Sequence, residues 1–545
     1  MDEWWRGAVI YQVYPRSFRD TDGDGIGDLA GIEERLDHIA ALGVDALWIS
    51  PFFKSPQKDY GYDVEDYRTV DPLFGTLADF DALLARAHDL GLKVMVDMVL
   101  SHTSSRHPWF LESRSSRENP KAGWYVWADA RPDGTPPSNW LSIFGGVAWE
   151  WEPRRAQYYL HNFLREQPDL NVHHAAVVEA LLGEAEFWLA RGVDGFRLDA
   201  IDFAMHDPKL KDNPPRPAGE AVARGLRAAT PYARQIHVHD KAHPDIPEKL
   251  LKPLRRLADR YGAALLGELS GDGQLARAAA YTRGSERLHF TYTFDLLSAP
   301  LSAAAIRAIT GELEASLADG WPCWSFSNHD VVRAASRLGG KDAPEALARL
   351  LPVLLGALRG TICLYQGEEL GLTEAELALE DLRDPVGIAF YPQSKGRDGA
   401  RTPMPWRHDA PHGGFTTARP WLPVPKAHLA LAVDLQEADP SSVLSHTRRF
   451  LRWRRTQPAL VRGGMRYLDA PEPVLALVRG EGDGALLCGF NLGSEPVRYR
   501  LPAEVEPAGF ELGARLQGLE LALAAYGAYF GRLPSGGLIE EGHHG

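Results

Sequence analysis

Short apolar runs recur along the first two thirds of the chain, and helix-like stretches separate them. The runs lie at residues 8–14, 46–49, 93–99, 195–198, 263–267, 289–294, 323–327 and 361–365. Such short, mostly apolar runs are typical of parallel strands buried on both faces. Between them, the amphipathic stretches 77–90, capped by Thr76, and 175–191 predict helices. This alternation predicts an α/β fold, a closed (β/α)8 TIM barrel.

Two long segments interrupt the predicted barrel, which would comprise residues 1–102 and 171–461. Residues 103–170 follow the third strand, and their length and their Trp, Pro and Gly content predict an inserted domain. Residues from about 374 to 430 follow the eighth strand and predict a smaller insertion. The short strands predicted at 474–479, 485–491 and 497–501 indicate that residues 462–545 form a C-terminal β-sandwich domain.

Net charge, cysteine content and the length of the apolar runs indicate which kinds of partner and which cellular location to expect. The 545 residues carry a net charge of −14, which argues against nucleic acid and anionic membranes. The chain has 3 cysteines, too few for a disulfide framework, and neither a signal peptide nor an apolar span is visible. We therefore expect a cytoplasmic protein, a monomer or homodimer, that takes small-molecule substrates.

Charged residues collect where the predicted strands end. Asp97 and His102 close or follow the third strand, and residues 197–199, Glu268 and residues 328–330 lie at the ends of the fourth, fifth and seventh. In a barrel these ends form one rim, where active sites are built. Two carboxylates suit glycosidic bond cleavage, one as nucleophile and one as acid and base. A buried ion pair and a metal site remain as alternatives.

The four blocks around Asp97, Asp199, Glu268 and Asp330, in this order, resemble those of glycoside hydrolase family 13, the α-amylase family. Three further motifs resemble markers of its oligo-1,6-glucosidase and α-glucosidase group, at residues 167–171, 396–398 and 401–404.

The resemblance implies a role for each candidate residue. Asp199 would be the nucleophile, Glu268 the general acid and base, and Asp330 a ligand of the sugar 2- and 3-hydroxyls. Arg197 would orient Asp199, and Asp59 with Arg397 would close the pocket behind one glucose. The other implied sugar contacts are Tyr62, His102, Phe144, Phe163, Phe294 and His329. For the three phenylalanines, ordinary core packing is the alternative.

The resemblance further implies a retaining, exo-acting α-glucosidase. Its substrates would be maltose, short maltooligosaccharides, sucrose or aryl glucosides, and other hydroxyl acceptors could replace water. Ala200, after the nucleophile, favours α-1,4 bonds, whereas Ser101 and Val172 depart from the family pattern, which has Asn and Trp there. The alternatives are a transferase or isomerase acting on sucrose or maltose, and a non-catalytic transporter subunit.

An acidic loop follows the first strand. Asp20, Asp22, Asp24 and Asp28 alternate as in a calcium loop, with the Ile26 carbonyl as a fifth ligand. A full EF-hand would need glutamate where Gly31 stands. We expect a structural Ca2+ here, or Mg2+ if the site is small, and no organic cofactor, whereas a plain acidic turn is the alternative.

Overall fold

Eight parallel strands close into a barrel in the computed structural model, which describes residues 3–220, 230–317 and 319–534. Each strand pairs with its neighbours in chain order, and the eighth pairs with the first, which confirms the predicted barrel. The strands are β1 (Val9–Val13), β2 (Ala46–Ile49), β3 (Lys93–Val99), β4 (Gly195–Asp199), β5 (Ala264–Leu269), β6 (Phe290–Thr293), β7 (Pro322–Trp324) and β8 (Thr361–Tyr365).

Helices surround the barrel. The main ones are Leu29–Glu34, Leu36–Leu42, Leu77–Asp89, Ala175–Ala190, Lys252–Tyr261, Gln274–Thr282, Ala303–Leu317, Ala334–Gly339, Glu345–Ala357, Val433–Ala438 and Val443–Arg455. Shorter ones are Pro108–Ser113, Asp295–Ser298, Pro385–Ala389, Lys426–Leu429 and Pro458–Val461. The helix Leu77–Asp89 begins with the predicted Thr76 cap, whose side chain and that of Asp79 bond each other's backbone amides.

Both faces of the barrel strands are buried, which explains their apolar sequences. On β1, Ile10 packs into a cluster inside the barrel, whereas Val9 and Tyr11 pack outwards under the helices. The β3–β4 register sets Asp97 beside Arg197 and Val99 beside Asp199. Because alternate residues share a face, Asp97, Arg197 and Asp199 all project to the inside, near the carboxyl ends of the strands.

A small sheet forms between β3 and β4. Its strands Trp127–Ala128, Gln157–Leu160 and Trp149–Glu152 are antiparallel and enclose their own cluster around Trp140. This is the insertion predicted after the third strand, although the boundaries at residues 102 and 170 stay predictions.

The C-terminal part is an all-β domain, as predicted, and its strands pair antiparallel. Its strands are Met465–Leu468, Val474–Arg479, Leu486–Asn491, Val497–Arg500, Glu506–Gln517 and Glu520–Arg532. One half of Glu520–Arg532 pairs with Val497–Arg500 and the other with Leu486–Asn491. Alternate residues of Val474–Arg479 pack into the cluster of this domain and into the barrel side, so the two parts share a continuous apolar contact.

Within the residues that the structure describes, no helix combines the length and the apolar character needed to cross a membrane.

Candidate active site

The floor of the site is organised by the Arg197 guanidinium, whose side chain is 0% exposed. Its Nη1 donates to Asp97 Oδ1 at 2.8 Å and to Asp199 Oδ1 at 2.7 Å. Its Nη2 lies 2.8 Å from Glu268 Oε1. One cation therefore holds three carboxylates from β3, β4 and β5, and its position is supported by the Trp48 ring, 4.8 Å away.

Glu268 has two further partners that fix its orientation. The Tyr292 hydroxyl donates to Oε1 at 3.0 Å, and the backbone amide of Ala200 donates to Oε2 at 2.9 Å. Ala200 adopts a left-handed conformation, with φ 39° and ψ 46°, at the turn directly after Asp199. The turn after β4 thus contacts the carboxylate on β5.

Asp330 follows β7 and lies among arginines. Arg401 Nη2 donates to its Oδ1 at 3.0 Å, and Arg397 Nη1 lies 3.3 Å from the same atom. Burial alone would raise the pKa of Asp330, but Arg397 and Arg401 hold this pKa well below its usual range, and His329 adds to the effect only when its ring is charged. Since burial lowers the pKa of His329 to about 3, that ring is neutral at pH 7, and the arginines supply the effect.

A second ion-pair network closes one wall. Arg397 Nη2 donates to Asp59 Oδ1 at 2.9 Å and to Asp384 Oδ1 at 2.8 Å. The other oxygen of Asp59 accepts from Gln167 Nε2 at 3.1 Å. The residues of this network are 0–6% exposed, so it forms a rigid charged wall rather than a mobile rim.

The two predicted histidines occupy different layers. The His329 ring is 0% exposed, stacks on Tyr62 and lies with Nε2 2.7 Å from the Tyr62 hydroxyl, so it supports the cavity from below. His102 lies at the cavity wall, and Ser101 Oγ is 3.0 Å from its Nδ1. Ser101, which stands where the resemblance implies asparagine, therefore contacts this histidine. Burial lowers the pKa of His102 to about 4, which leaves it neutral at pH 7.

A cavity of about 1250 Å³ opens above these groups, larger than one hexose requires. Ten of the twelve predicted catalytic and sugar-contacting residues line it, namely Asp59, Tyr62, His102, Phe144, Phe163, Asp199, Glu268, Phe294, Asp330 and Arg397. Arg197 and His329 lie beneath this wall. Phe144 also covers the Arg397 guanidinium, 5.1 Å from its ring, so it combines packing with a place at the cavity.

Comparison with known proteins decides the family. The profile of the alpha amylase catalytic domain matches residues 12–463, most of the chain. The chain belongs to the α-amylase family.

Relatives in this family share nearly the full length. A probable alpha-glucosidase of Rhizobium meliloti (strain 1021) is 54% identical over 97% of each chain. An oligo-1,6-glucosidase of Heyndrickxia coagulans is 36% identical over 92% of this chain and 94% of its own. Together with the family match, these relatives identify the protein as a glycoside hydrolase.

Solved structures of two other enzymes also superpose closely on this chain. The alpha-glucosyl transfer enzyme XgtA is 57% identical, with a TM-score of 0.95 over 98% of this chain and 100% of its own. A mutant of the trehalulose synthase MutB in complex with sucrose is 33% identical, with a TM-score of 0.88 over 98% and 100%. The chain is therefore similar both to proteins named as glucosidases and to enzymes named for glucosyl transfer or trehalulose synthesis.

Several residues at the site were not predicted from the sequence. Gln167 and Arg401 lie in the recognised motifs, so the motif itself was the signal. Tyr292 and Trp48 lie inside predicted strands, where aromatic residues suggest core packing alone. Asp384 had no local signal, because the Arg397 contact links two parts of a long loop.

The acidic loop brings together three of the expected metal ligands. Carboxylate oxygens of Asp20, Asp22 and Asp28 lie within 4.8 Å of one another, a group of hard donors that suits Ca2+ or Mg2+. Asp24 is not part of this group, and its Oδ1 accepts from the Ile26 amide at 2.7 Å. These three residues therefore fit a cation, although each of them, like Asp24, also accepts a backbone amide of the loop.

The crowding of three buried carboxylates around one cation makes the site sensitive to acid. Burial raises the pKa of Asp199, Arg197 opposes this shift, and the charges of Glu268 and Asp97 reinforce it. Burial also raises the pKa of Asp97 to about 6. Because three carboxylates share one cation, the cluster binds a proton more readily than separated carboxylates would.

We therefore expect Asp97→Asn to extend activity to lower pH. The substitution removes a negative charge that raises the pKa of Asp199, so Asp199 stays ionised in more acid solution. The acid limb of kcat/KM on maltose should move down by about 1 pH unit. Asp194→Asn, which changes an ion pair with Lys93 outside the cavity wall, is the control. An unchanged acid limb in Asp97→Asn would contradict the coupling.

Proposed function

We propose that the protein is a retaining, exo-acting α-glucosidase that releases glucose from the non-reducing ends of short α-glucosides. The main support is the bridge that Arg197 makes between Asp199 and Glu268. A single guanidinium can bridge only carboxylates that lie close together, and close pairs are typical of retaining enzymes, in which one carboxylate attacks the sugar directly.

In this mechanism, an Asp199 oxygen attacks the anomeric carbon while Glu268 gives its proton to the departing glycosidic oxygen. The bond to the aglycone breaks, and a covalent glucosyl ester remains on Asp199. Glu268 then takes a proton from water, which attacks the same carbon and regenerates the Asp199 carboxylate. Asp330, kept ionised by Arg397 and Arg401, would accept hydrogen bonds from the sugar hydroxyls throughout.

The wall formed by Asp59, Arg397 and Asp384 supports the exo assignment. Its buried charges would bind the hydroxyls farthest from the scissile bond and leave no passage for a further sugar. The rest of the cavity would then hold the aglycone. Ala200 lines this cavity next to Asp199, and its small side chain supports a preference for α-1,4 bonds.

Transfer of glucose to another hydroxyl is the second candidate, and the similarity to XgtA favours it. The same glucosyl ester would react with an acceptor alcohol instead of water. Incubation with maltose and with sucrose at low concentration separates the two candidates: free glucose should dominate for a hydrolase, and a transferred or isomerised disaccharide for the alternative.

At the acidic loop, Asp20, Asp22 and Asp28 would hold a structural Ca2+ or Mg2+, with Asp24 and the Ile26 carbonyl as the remaining expected ligands. The ion would bind the loop between β1 and the first helix, where the Asp28 side chain also caps Leu29–Glu34. It would supply stability and take no part in the reaction.

Asp199→Asn should abolish turnover. The amide cannot form the covalent ester, so kcat on maltose should fall by more than about a hundredfold while cooperative melting persists. Asp81→Asn, which alters an exposed ion pair with Arg191, should retain full activity. In the wild-type reaction, NMR should show α-glucose as the first product. Initial β-glucose, or more than a hundredth of the activity in Asp199→Asn, would contradict the mechanism.

Asp59→Asn should weaken recognition of the terminal glucose. The substitution removes one carboxylate from Arg397, so we expect kcat/KM on 4-nitrophenyl α-glucoside to fall by about thirtyfold. The corresponding 4-deoxyglucoside lacks the 4-hydroxyl that Asp59 would bind. On this substrate, kcat/KM of the variant and of the wild type should differ much less. Asp66→Asn, outside the cavity wall, is the control. Equal losses on both substrates would argue against a clamp on that hydroxyl.

Removing divalent cations should lower the melting temperature. A bound ion at a hundred times its dissociation constant stabilises a fold by about 2.7 kcal/mol. We therefore expect EDTA to destabilise the protein, Ca2+ to restore it, and Asp22→Asn to be insensitive to both. Asp409→Asn, in the exposed cluster with His408 and Asp434, should keep the response. If neither EDTA nor Ca2+ changes the melting temperature of the wild type, the proposed metal site is wrong.

A further inference from the structure

The turn after the proposed nucleophile is held in a strained conformation. Ala200 has φ 39°, a left-handed value that costs a non-glycine residue free energy. A short 3-10 turn, Ile201–Phe203, follows it directly. Surrounding contacts must stabilise this shape, and the shape itself directs the Ala200 amide to Glu268 Oε2.

A buried ion pair supplies that stabilisation. Asp202 is 0% exposed, and its Oδ2 lies 3.1 Å from Lys241 Nζ and 3.3 Å from Arg277 Nη2. Lys241 is 2% exposed, and its Nζ lies 4.2 Å from the centre of the Phe203 ring. The amide of Ala242 also donates to the Asp202 carbonyl. Lys241 therefore holds the Asp202 side chain, and Ala242 holds the Asp202 backbone carbonyl.

The same cations reach the strand that carries Glu268. Lys241 Nζ donates to the Ser270 carbonyl at 2.7 Å, and Arg277 Nη2 donates to it at 2.8 Å. Ser270 lies two residues after Glu268, just beyond the end of β5. Lys241 thus joins the end of β5 to the turn after β4, the two segments between which the Ala200–Glu268 hydrogen bond forms.

Neither Lys241 nor Asp202 lines the cavity, so neither can contact the sugar. We propose that Lys241 is a positioning residue for the acid and base: through Asp202 and the Ser270 carbonyl it fixes the Ala200 amide against Glu268. This inference rests on the proposed role of Glu268 and adds the residue that orients it. Its effect falls on proton transfer, whereas a purely structural ion pair would affect all substrates equally.

The test compares leaving groups in Lys241→Met. Maltose has a sugar hydroxyl as its leaving group and needs the proton from Glu268, whereas α-glucosyl fluoride hardly needs it. We expect kcat/KM to fall by about thirtyfold on maltose and by less than about threefold on the fluoride. Lys93→Met, which breaks the Lys93–Asp194 ion pair outside the cavity, should change neither value.

Two further variants make the outcome decisive. The double variant Lys241→Met with Asp202→Asn removes both buried charges, so it retains the test if the single variant folds poorly. It should show the same contrast between substrates. Equal losses on both substrates, or no loss on maltose, in the folded variants would overturn the positioning role.

Glu268→Gln separates this inference from the proposed function. It should lose activity on maltose far more than on the fluoride. If Glu268→Gln shows no such contrast, the assignment of the acid and base fails. If Glu268→Gln shows this contrast between substrates and the Lys241 variants do not, only the positioning role of Lys241 fails.

Discussion

The structure of the site depends on one buried cation shared by three buried carboxylates. Without Arg197, the negative charges of Asp97, Asp199 and Glu268 would repel each other in a region sheltered from water, a cost of several kcal/mol for each unpaired ion. This arrangement lies at the carboxyl rim of the barrel, where β3, β4 and β5 end side by side. Below the rim, the lumen is filled by apolar and aromatic side chains such as Ile10, Met95 and Trp48.

Arginine also suits this position for geometric reasons. A planar guanidinium presents separate nitrogen donors in fixed directions, so Asp199 and Glu268 contact different nitrogen atoms of Arg197. A lysine would offer a single point charge and could not set the angle between them. The arrangement therefore both neutralises the carboxylates and orients them, and the Tyr292 hydroxyl completes the set of hydrogen bonds.

Much of this could be predicted from the sequence, and the reasons are local. The continuous apolar runs reveal strands buried on both faces, and the charges at their ends reveal the rim, since residues two apart share a strand face. Asp384 and Gln167 could not be placed in this way. Their contacts with Arg397 and Asp59 join segments separated by loops, and no periodic pattern specifies how an irregular loop folds back. The cavity volume was equally hidden, because it depends on side chains from many elements.

The closure of the barrel has a consequence for the order of events during synthesis. Gln12, on the first strand, contacts His329, which lies 317 residues later, and the final strand pairs with the first. Such distant partners must wait for most of the polypeptide to leave the ribosome, and contacts of long sequence separation form slowly. A nascent chain that ends before β8 exposes the apolar edges of β1 and β7, and these become available to chaperones or to unwanted association.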